Sequence, residues 1–252
     1  MLGHESLGSG GRPVLILNDW MCDCSTWDGA RPFLDPALRW IFADLRGYGR
    51  SRSIPGAHTL LEAAADVLAL VDGLGLGRFS IAGHSMSSLI AAQLAQQLGA
   101  RVERVGLICP PPPGGFGADA ATIERMRAFS GGDDTDRARA LTAMWGQRLG
   151  DAWLKFKVER WRATSDPQAV ADYVAMFARD GLPDQRTRLQ APVLALTGEQ
   201  DMELMRRASV EALWSPLCER LELASIADAG HYPMQEAPPL VAALLGRFFA
   251  GH

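Results

Sequence analysis

Ser85 stands where a short apolar run gives way to a helical pattern. The run from Phe79 to Ala82 is typical of a buried strand, and apolar residues recur at helical spacing after the turn. A serine at the tip of so sharp a turn has its hydroxyl held clear of the backbone, and the next amide points to where negative charge would form. Gly83 and Ser87 are the small residues that this close passage requires. The arrangement predicts nucleophilic catalysis by Ser85, although a serine that merely caps the helix fits the same local pattern.

The pentapeptide Gly83-His84-Ser85-Met86-Ser87 resembles the nucleophile elbow of the α/β-hydrolase family, with Ser87 in place of the more usual glycine. The resemblance extends to two later loops. In relatives the triad acid ends a Gly-x-x-Asp loop, which Asp201 matches, and Gly-His after the last strand supplies the general base, which His231 matches. The order Ser85, Asp201, His231 is the order that this family uses.

The chemistry of such a triad follows from the residue types. A serine hydroxyl is weakly acidic, so His231 must take its proton as it attacks. Asp201 would fix the tautomer of His231 and stabilise its charged form. Two other interpretations remain open: Asp201 as the N-cap of a predicted helix over 203–213, and His231 as an exposed loop histidine.

The loop after the apolar run 14–17 departs from the family. Relatives place His-Gly where Asn18-Asp19 stand, and the next residue donates a backbone N–H to the oxyanion hole. The resemblance therefore implies Trp20 and Met86 as the two donors. A carboxylate at position 19 is unfavourable near an oxyanion unless it faces away or is paired. Asn18 is either a turn former or a side-chain donor.

Apolar runs that alternate with amphipathic helices predict a mostly parallel sheet with helices on both faces, the α/β-hydrolase fold. Ligands in such sheets bind at the carboxyl ends of the strands, where the triad residues would lie. At the N-terminus only a fragment around residues 5–8 could pair, so we expect the sheet to lack its first strand. The predicted strands are 14–17, 40–43, 79–82, 105–109, 192–196 and 221–226, and Thr59 to Glu62 is a capping box for a helix that ends near Asp72.

The segment Asp44-Leu45-Arg46-Gly47-Tyr48-Gly49-Arg50-Ser51 resembles a family signature, Asp-x-Arg-Gly-x-Gly-x-Ser. Its glycines suit a tight loop. We interpret the segment as scaffold and expect Asp44 and Arg46 to pair and brace it.

Residues 116–185 interrupt the strand pattern with four predicted helices, over 118–130, 136–149, 152–163 and 167–179. This insertion resembles the helical cap of many α/β-hydrolases, so the predicted domains are a core of 1–115 and 186–252 and a cap of 116–185. Trp145, Trp153, Trp161, Phe156 and Phe177 make the cap aromatic. Most of these rings are expected in the cap's own core, with one or two in the pocket, and an apolar lid favours an apolar substrate. The predicted pocket residues are Asn18, Met21, Trp145 and Tyr232.

The 252 residues carry a formal charge of −4 and have no basic run, which argues against nucleic acid as a partner. No apolar run reaches membrane-spanning length and residues 1–12 do not form a signal peptide, so a cytoplasmic monomer or homodimer is expected. Cys22, Cys24, Cys109 and Cys218 complete no zinc pattern. The sequence therefore predicts reduced cysteines, no metal and no cofactor.

The resemblance and the residue types together predict a cofactor-free serine hydrolase that cleaves an ester, a lactone or an activated carbon–carbon bond of an apolar small molecule. The nucleophile position holds no aspartate, which argues against haloalkane dehalogenase or epoxide hydrolase chemistry. Two alternatives remain. One is a cofactor-free oxygenase or acyltransferase, although relatives that use oxygen generally keep a histidine where Asn18 stands. The other is a small-molecule receptor with a retained triad.

Overall fold

The computed structural model describes residues 1–142, 144, 146 and 148–251, and its centre is a seven-stranded sheet. Every strand except the first and last has a largely buried, apolar sequence, as expected for strands covered on both faces. The strands are β1 (His4–Leu7), β2 (Arg12–Leu17), β3 (Leu38–Ala43), β4 (Phe79–His84), β5 (Val102–Ile108), β6 (Val193–Gly198) and β7 (Leu221–Ile226).

The strand order is β1-β3-β2-β4-β5-β6-β7. All neighbours pair in parallel except β1, which lies antiparallel to β3 at the edge. The predicted mostly parallel α/β sheet is confirmed. The N-terminal fragment forms the short strand β1, with Glu5 opposite Phe42.

Nine helices connect or cover the strands within the described residues. They are α1 (Leu60–Gly73), α2 (Ser87–Leu98), α3 (Ala120–Gly131), α4 (Asp134–Thr142), α5 (Asp151–Thr164), α6 (Pro167–Ala175), α7 (Arg207–Trp214), α8 (Pro233–Glu236) and α9 (Pro238–Ala250). Helix α2 packs on β4 and β5 and against α1, while α9 packs on β3 and α7 on β6 and β7. Thr59 caps α1 as predicted, because its hydroxyl accepts the Glu62 N–H at 3.3 Å.

Helices α3 to α6 all lie between β5 and β6, where the sequence predicted a helical insertion. One predicted bound was wrong: the helix predicted over 136–149 ends at Thr142, and residues 143, 145 and 147 lie outside the described residues. The helix predicted over 167–179 is helical over its whole length, as an α-helix to Ala175 and then as a π-helical turn, Met176–Asp180. Gly181, with a positive φ of 60°, follows it.

The signature loop after β3 is a scaffold, but its predicted internal ion pair was wrong. Asp44 is fully buried and accepts hydrogen bonds from the backbone of Cys24 and from Arg50. Arg46 instead binds Asp66 through both carboxylate oxygens, at 2.6 and 2.7 Å. Asp44 ties the loops after β2 and β3 together, whereas Arg46 ties its loop to α1.

All four cysteines are buried and carry free thiols. Within the part of the chain that the structure describes, none of the helices combines the length and the apolar character that a membrane span requires.

Candidate active site

Ser85 lies at a strained turn between β4 and α2. Its φ is +54°, which is uncommon for a residue with a side chain, and its backbone N–H donates to the Ile108 carbonyl at 2.8 Å. Gly83 allows the turn, because a Cβ there would lie 2.1 Å from the Ser87 carbonyl oxygen. The strand and the helix therefore pass as closely as the sequence predicted.

Ser87 explains how this turn dispenses with a second glycine. Its hydroxyl accepts the His84 N–H and donates to the His84 carbonyl, both at 2.9 Å. The side chain thus folds back onto the turn and stabilises it, where a larger residue would have to extend away.

His231 and Asp201 are paired. The Nδ1 atom of His231 lies 2.9 Å from Oδ2 and 3.1 Å from Oδ1 of Asp201, and both residues are almost completely buried. A carboxylate can only accept, so the His231 proton lies on Nδ1 and Nε2 is left free to accept one. Asp201 is not a helix N-cap, because α7 begins later and its cap is Arg206.

The surroundings of His231 favour its charged form. Burial opposes that charge, but the negative charge and the hydrogen bond of Asp201 together raise the pKa of His231 above its ordinary value. The loop after β6, which carries Asp201, and the loop after β7, which carries His231, lie very close together: a Cβ on Gly198 would lie 2.0 Å from the Gly230 carbonyl oxygen. Only a glycine at position 198 lets the two loops approach so closely.

Three residues outside the predicted set hold the histidine loop in place. The buried Glu236 carboxylate accepts the Gly230 N–H at 2.9 Å and the Tyr232 N–H at 3.2 Å. His84 lies with Nε2 2.7 Å from the His231 carbonyl, and the His231 N–H donates to the Met144 carbonyl at 2.8 Å. The Glu236 contact had a sequence signal, a glutamate in the first turn of a helix, whereas the other two depend on distant elements.

The loop after β2 leaves the sheet beside the elbow, since Leu17 pairs with Gly83 in adjacent parallel strands. Within the described residues, neither the Trp20 nor the Met86 backbone N–H has a hydrogen-bond acceptor. The Trp20 indole is held by the helical insertion, because its Nε1 donates to the Val170 carbonyl at 2.8 Å. The Met86 N–H follows Ser85 directly and the Trp20 N–H belongs to the neighbouring loop, so both are candidates for an oxyanion hole.

The unusual Asn18-Asp19 dipeptide is buried, and neither of the two residues has a positive φ. The left-handed residue of the loop is Met21, with a φ of 69°. The Asn18 amide donates to the carbonyls of Asp19 and Cys22, and its oxygen accepts the Leu45 N–H at 2.8 Å. Asn18 is therefore a loop-bracing residue, as the turn-forming interpretation predicted.

A largely apolar cavity of about 400 Å³ opens onto Ser85 and His231. It lies at the carboxyl ends of the strands, since Trp20, Ser85, Met202 and His231 follow β2, β4, β6 and β7. Helices α3 and α4 and the π-helical turn form the rest of its wall. The lining residues are Trp20, Ser85, Phe116, Ala118, Thr122, Met126, Phe129, Arg139, Ala140, Met144, Phe177, Ala178, Met202, Met205 and His231.

The predicted pocket residues were mostly misplaced. Asn18, Met21 and Tyr232 are buried and do not line the cavity. Trp145 lies outside the described residues. Asn18, Met21 and Tyr232 are close in sequence to Trp20 and His231, but neighbouring residues of a loop can face opposite ways.

One of the aromatic residues on which the cap prediction rested lines the cavity, in line with the one or two predicted, but others pack on residues outside the insertion. Phe177 lines the cavity, with its ring 5.1 Å from that of Trp20. Trp161 also packs on Trp20, and Trp153 packs on Tyr232 with a ring distance of 5.2 Å. Phe156 is exposed. The buried rings thus join the insertion to the sheet loops.

Among the described residues, His84, Cys109 and His231 have ligand atoms within 4.8 Å of one another, a spacing that could hold a metal ion. Their hydrogen bonds compete with that use, because His231 binds Asp201 and His84 binds the His231 carbonyl. Burial raises the pKa of the Cys109 thiol well above its ordinary value, which disfavours the thiolate that a metal requires. This cluster fits a hydrogen-bonded core better than a metal site.

Residues 14–244 match the sequence model of the Alpha/beta hydrolase family. The chain belongs to this family. The α/β-hydrolase fold is also found in solved structures: the enol-lactonase of Burkholderia xenovorans LB400 superposes with a TM-score of 0.84 and 22% identity, covering 99% of this chain and 96% of that one.

Two curated relatives of this α/β-hydrolase are dioxygenases by name. The 2-heptyl-3-hydroxy-4(1H)-quinolone dioxygenase of Mycobacteroides abscessus is 31% identical over 176 residues, which cover 68% of this chain and 56% of the relative. The 2-heptyl-3-hydroxy-4-quinolone dioxygenase of Rhodococcus erythropolis is 32% identical over 129 residues, 48% of each protein. The matched part of this chain spans about half the length of these relatives.

Proposed function

We propose that this α/β-hydrolase is a cofactor-free serine hydrolase that cleaves an ester or lactone of an apolar small molecule, with Ser85, His231 and Asp201 as its triad. One observation carries the proposal. Ser85, at its strained turn, and His231 line the same cavity. Asp201 binds Nδ1 of His231, which leaves Nε2 free to accept a proton.

In the proposed reaction His231 takes the Ser85 proton through Nε2 as the Ser85 oxygen attacks the substrate carbonyl. The Trp20 and Met86 N–H groups bind the oxyanion that forms. His231 then protonates the leaving alcohol and, in the second half, activates the water that releases the acyl group from Ser85. Asp201 stabilises the charged His231 in both halves.

The cavity favours a flexible or aromatic apolar substrate. Its wall combines aromatic rings with methionines, and the flexible thioether side chains can adapt to different shapes. Arg139 lies at the exposed side of the wall and carries a positive charge, which is paired with Asp136 at 2.8 Å. A substrate with an apolar body and an anionic end fits this distribution.

A fluorophosphonate probe followed by intact mass measurement tests the proposal. We expect a single adduct on the parent protein and on Ser130→Ala, a surface control, and none on Ser85→Ala. A panel of 4-nitrophenyl esters of increasing chain length then reports hydrolysis. An adduct on Ser85→Ala, or no adduct on the parent, would contradict the proposed nucleophile.

A second candidate is cofactor-free dioxygenation, favoured by the two relatives named as quinolone dioxygenases. The same apolar cavity could hold a planar aromatic ring, and His231 could remove a proton from a ring hydroxyl. An oxygen electrode with a 2-alkyl-3-hydroxy-4-quinolone separates the two functions. Oxygen consumption that is lost in His231→Gln would favour this candidate, whereas ester turnover without oxygen uptake would favour hydrolysis.

A further inference from the structure

Lys157 is buried in a chain that almost avoids lysine. The sequence has 25 basic residues, and only Lys155 and Lys157 are lysines. Both lie on α5 of the helical insertion. Lys155 is exposed, but Lys157 is only 1% exposed and points toward the sheet loops. A buried ammonium is costly unless it is paired, so its partners need an explanation.

The Lys157 ammonium lies against residues that follow β2 and β7. Its Nζ donates to the Thr26 hydroxyl at 3.0 Å and lies 4.2 Å from the centre of the Tyr232 ring. These contacts place a positive charge behind the loop that carries Trp20 and next to the residue that follows His231. Neither contact neutralises the charge.

Asp19 is a buried group of opposite charge on the loop after β2. It is 1% exposed and precedes Trp20, one of the two proposed oxyanion donors. Burial raises the pKa of Asp19 above its ordinary value, and among its neighbours the Lys157 ammonium opposes this rise most strongly. Each charge therefore lowers the cost of burying the other.

The two charges act on His231 in opposite directions. The Asp19 charge favours the protonated form of His231, and the Lys157 charge disfavours it. His84 lies next to both residues: its Nδ1 is 3.6 Å from Asp19 Oδ2, and its Nε2 binds the His231 carbonyl. The titratable groups around His231 are Asp19, His84, Cys109, Lys157, Asp201, Tyr232 and Glu236.

We propose that Asp19 and Lys157 are a pair of buried opposite charges, acting on each other without direct contact, that positions the oxyanion loop and balances the electric field at His231. Through Lys157, helix α5 of the insertion supports the candidate active site. The two charges are expected to act together for an electrostatic reason. An unbalanced Asp19 carboxylate beside Trp20 would repel the oxyanion and hold His231 protonated, whereas the pair adds almost no net charge. The catalytic part of this inference rests on the proposed function.

Three variants test the pair: Asp19→Asn, Lys157→Met and the double variant, with Lys155→Met as the matched surface control. The main readout is the titration midpoint of the His231 side chain by ¹⁵N NMR of the resting protein, assigned by its loss in His231→Gln. Asp19→Asn should lower this midpoint by about 0.5 to 1 pH unit, less than the shift from a contacting carboxylate. Adding Lys157→Met should return it most of the way.

Ester hydrolysis gives the second readout. Lys157→Met should reduce kcat by about tenfold with little change in KM, because the unbalanced carboxylate acts on the transition state. The double variant should recover most of that loss, and Lys155→Met should match the parent. A pair that served only folding would change the unfolding midpoint without moving the His231 titration.

An unchanged His231 titration midpoint in Asp19→Asn would overturn the proposed pair. So would a double variant whose midpoint is no closer to that of the parent than the midpoint of either single variant. If a single variant does not fold, the double variant still decides: folding with the parent's His231 midpoint supports the pair, and failure to fold overturns it. The NMR titration needs no substrate. If the variants show the expected shifts of the His231 midpoint but the parent does not hydrolyse esters, the hydrolase function is contradicted and the charge pair is not.

Discussion

The Nε2 atom of His84 lies 2.7 Å from the backbone carbonyl oxygen of His231. His84, which directly precedes Ser85, therefore holds the loop that carries His231. Burial lowers the pKa of His84 well below its ordinary value, and a neutral imidazole that donates from Nε2 leaves Nδ1 unprotonated. The turn at Ser85 and the loop that carries His231 are thus joined by a hydrogen bond that is independent of Asp201.

His84→Leu should reduce ester turnover by about tenfold or more, because small displacements of catalytic groups cost rate steeply. It should also lower the free energy of unfolding by about 1–3 kcal/mol, since a buried carbonyl loses its partner. His58→Leu is the control: His58 is also buried, and its Nδ1 lies 3.0 Å from Asp172, away from the cavity wall. Urea unfolding measures the stability of both variants, and only His84→Leu should also lose kcat. An equal loss of kcat in both variants would contradict the positioning role of His84.

The pH profile of ester hydrolysis should show an acid limb above the ordinary histidine value. The proposed base must be neutral to accept a proton, and the Asp201 charge and hydrogen bond raise the pKa of His231 despite its burial. Activity is therefore lost as the pH falls through this raised pKa. The pH dependence of kcat/KM measures it, and a midpoint below about 6.5 would be inconsistent with the site.

Asp201→Asn should reduce kcat by about ten-thousandfold, the loss expected when a triad histidine loses its orienting carboxylate. Its residual activity should have an acid limb at lower pH than the parent, because the charge that favours protonated His231 is gone. Glu199→Gln, two residues earlier in the same loop, is the matched control and should behave as the parent. Comparable rates for Asp201→Asn and the parent would exclude Asp201 as the triad acid.

Glu236→Ala should lower the free energy of unfolding by about 1–3 kcal/mol and also reduce kcat, because the Gly230 and Tyr232 N–H groups lose their acceptor. Glu236→Gln retains one acceptor oxygen and should recover part of both losses. Glu222→Ala, at an exposed position of β7, controls for removal of a glutamate. Denaturant unfolding and ester kinetics would disprove this role if Glu236→Ala matched Glu222→Ala.

Arg139→Gln should raise KM for a carboxylate-bearing aryl ester by about three- to tenfold, with little effect on its neutral analogue. Arg139 lines the cavity, although it also pairs with Asp136 at 2.8 Å. Arg125→Gln removes an exposed arginine of α3 that does not line the cavity and serves as the control. Equal KM changes for the charged and neutral esters would rule out an anion-binding role.

The order of strands and helices could be predicted from sequence because buried parallel strands and amphipathic helices leave local patterns. Ser85 also had a local signal, since the turn geometry constrains its neighbours at Gly83 and Ser87. The positions of Asp201 and His231 followed from their places after the last two strands. The pairing of Asp44 could not be predicted, because Arg46 and Arg50 both follow it in the same loop and only the folded loop selects the more distant Arg50.

The sequence by itself determined the family, the sheet and the residues that could do chemistry, because these depend on short-range patterns and on chain order. Tertiary structure alone decided what faces the cavity and what supports it. Adjacent residues of α5 show why: Phe156 is 45% exposed, whereas Lys157 is 1% exposed, the reverse of their hydropathies. Burial of a lysine depends on the groups that contact it across the fold, and Thr26 and Tyr232 lie far away from Lys157 in sequence.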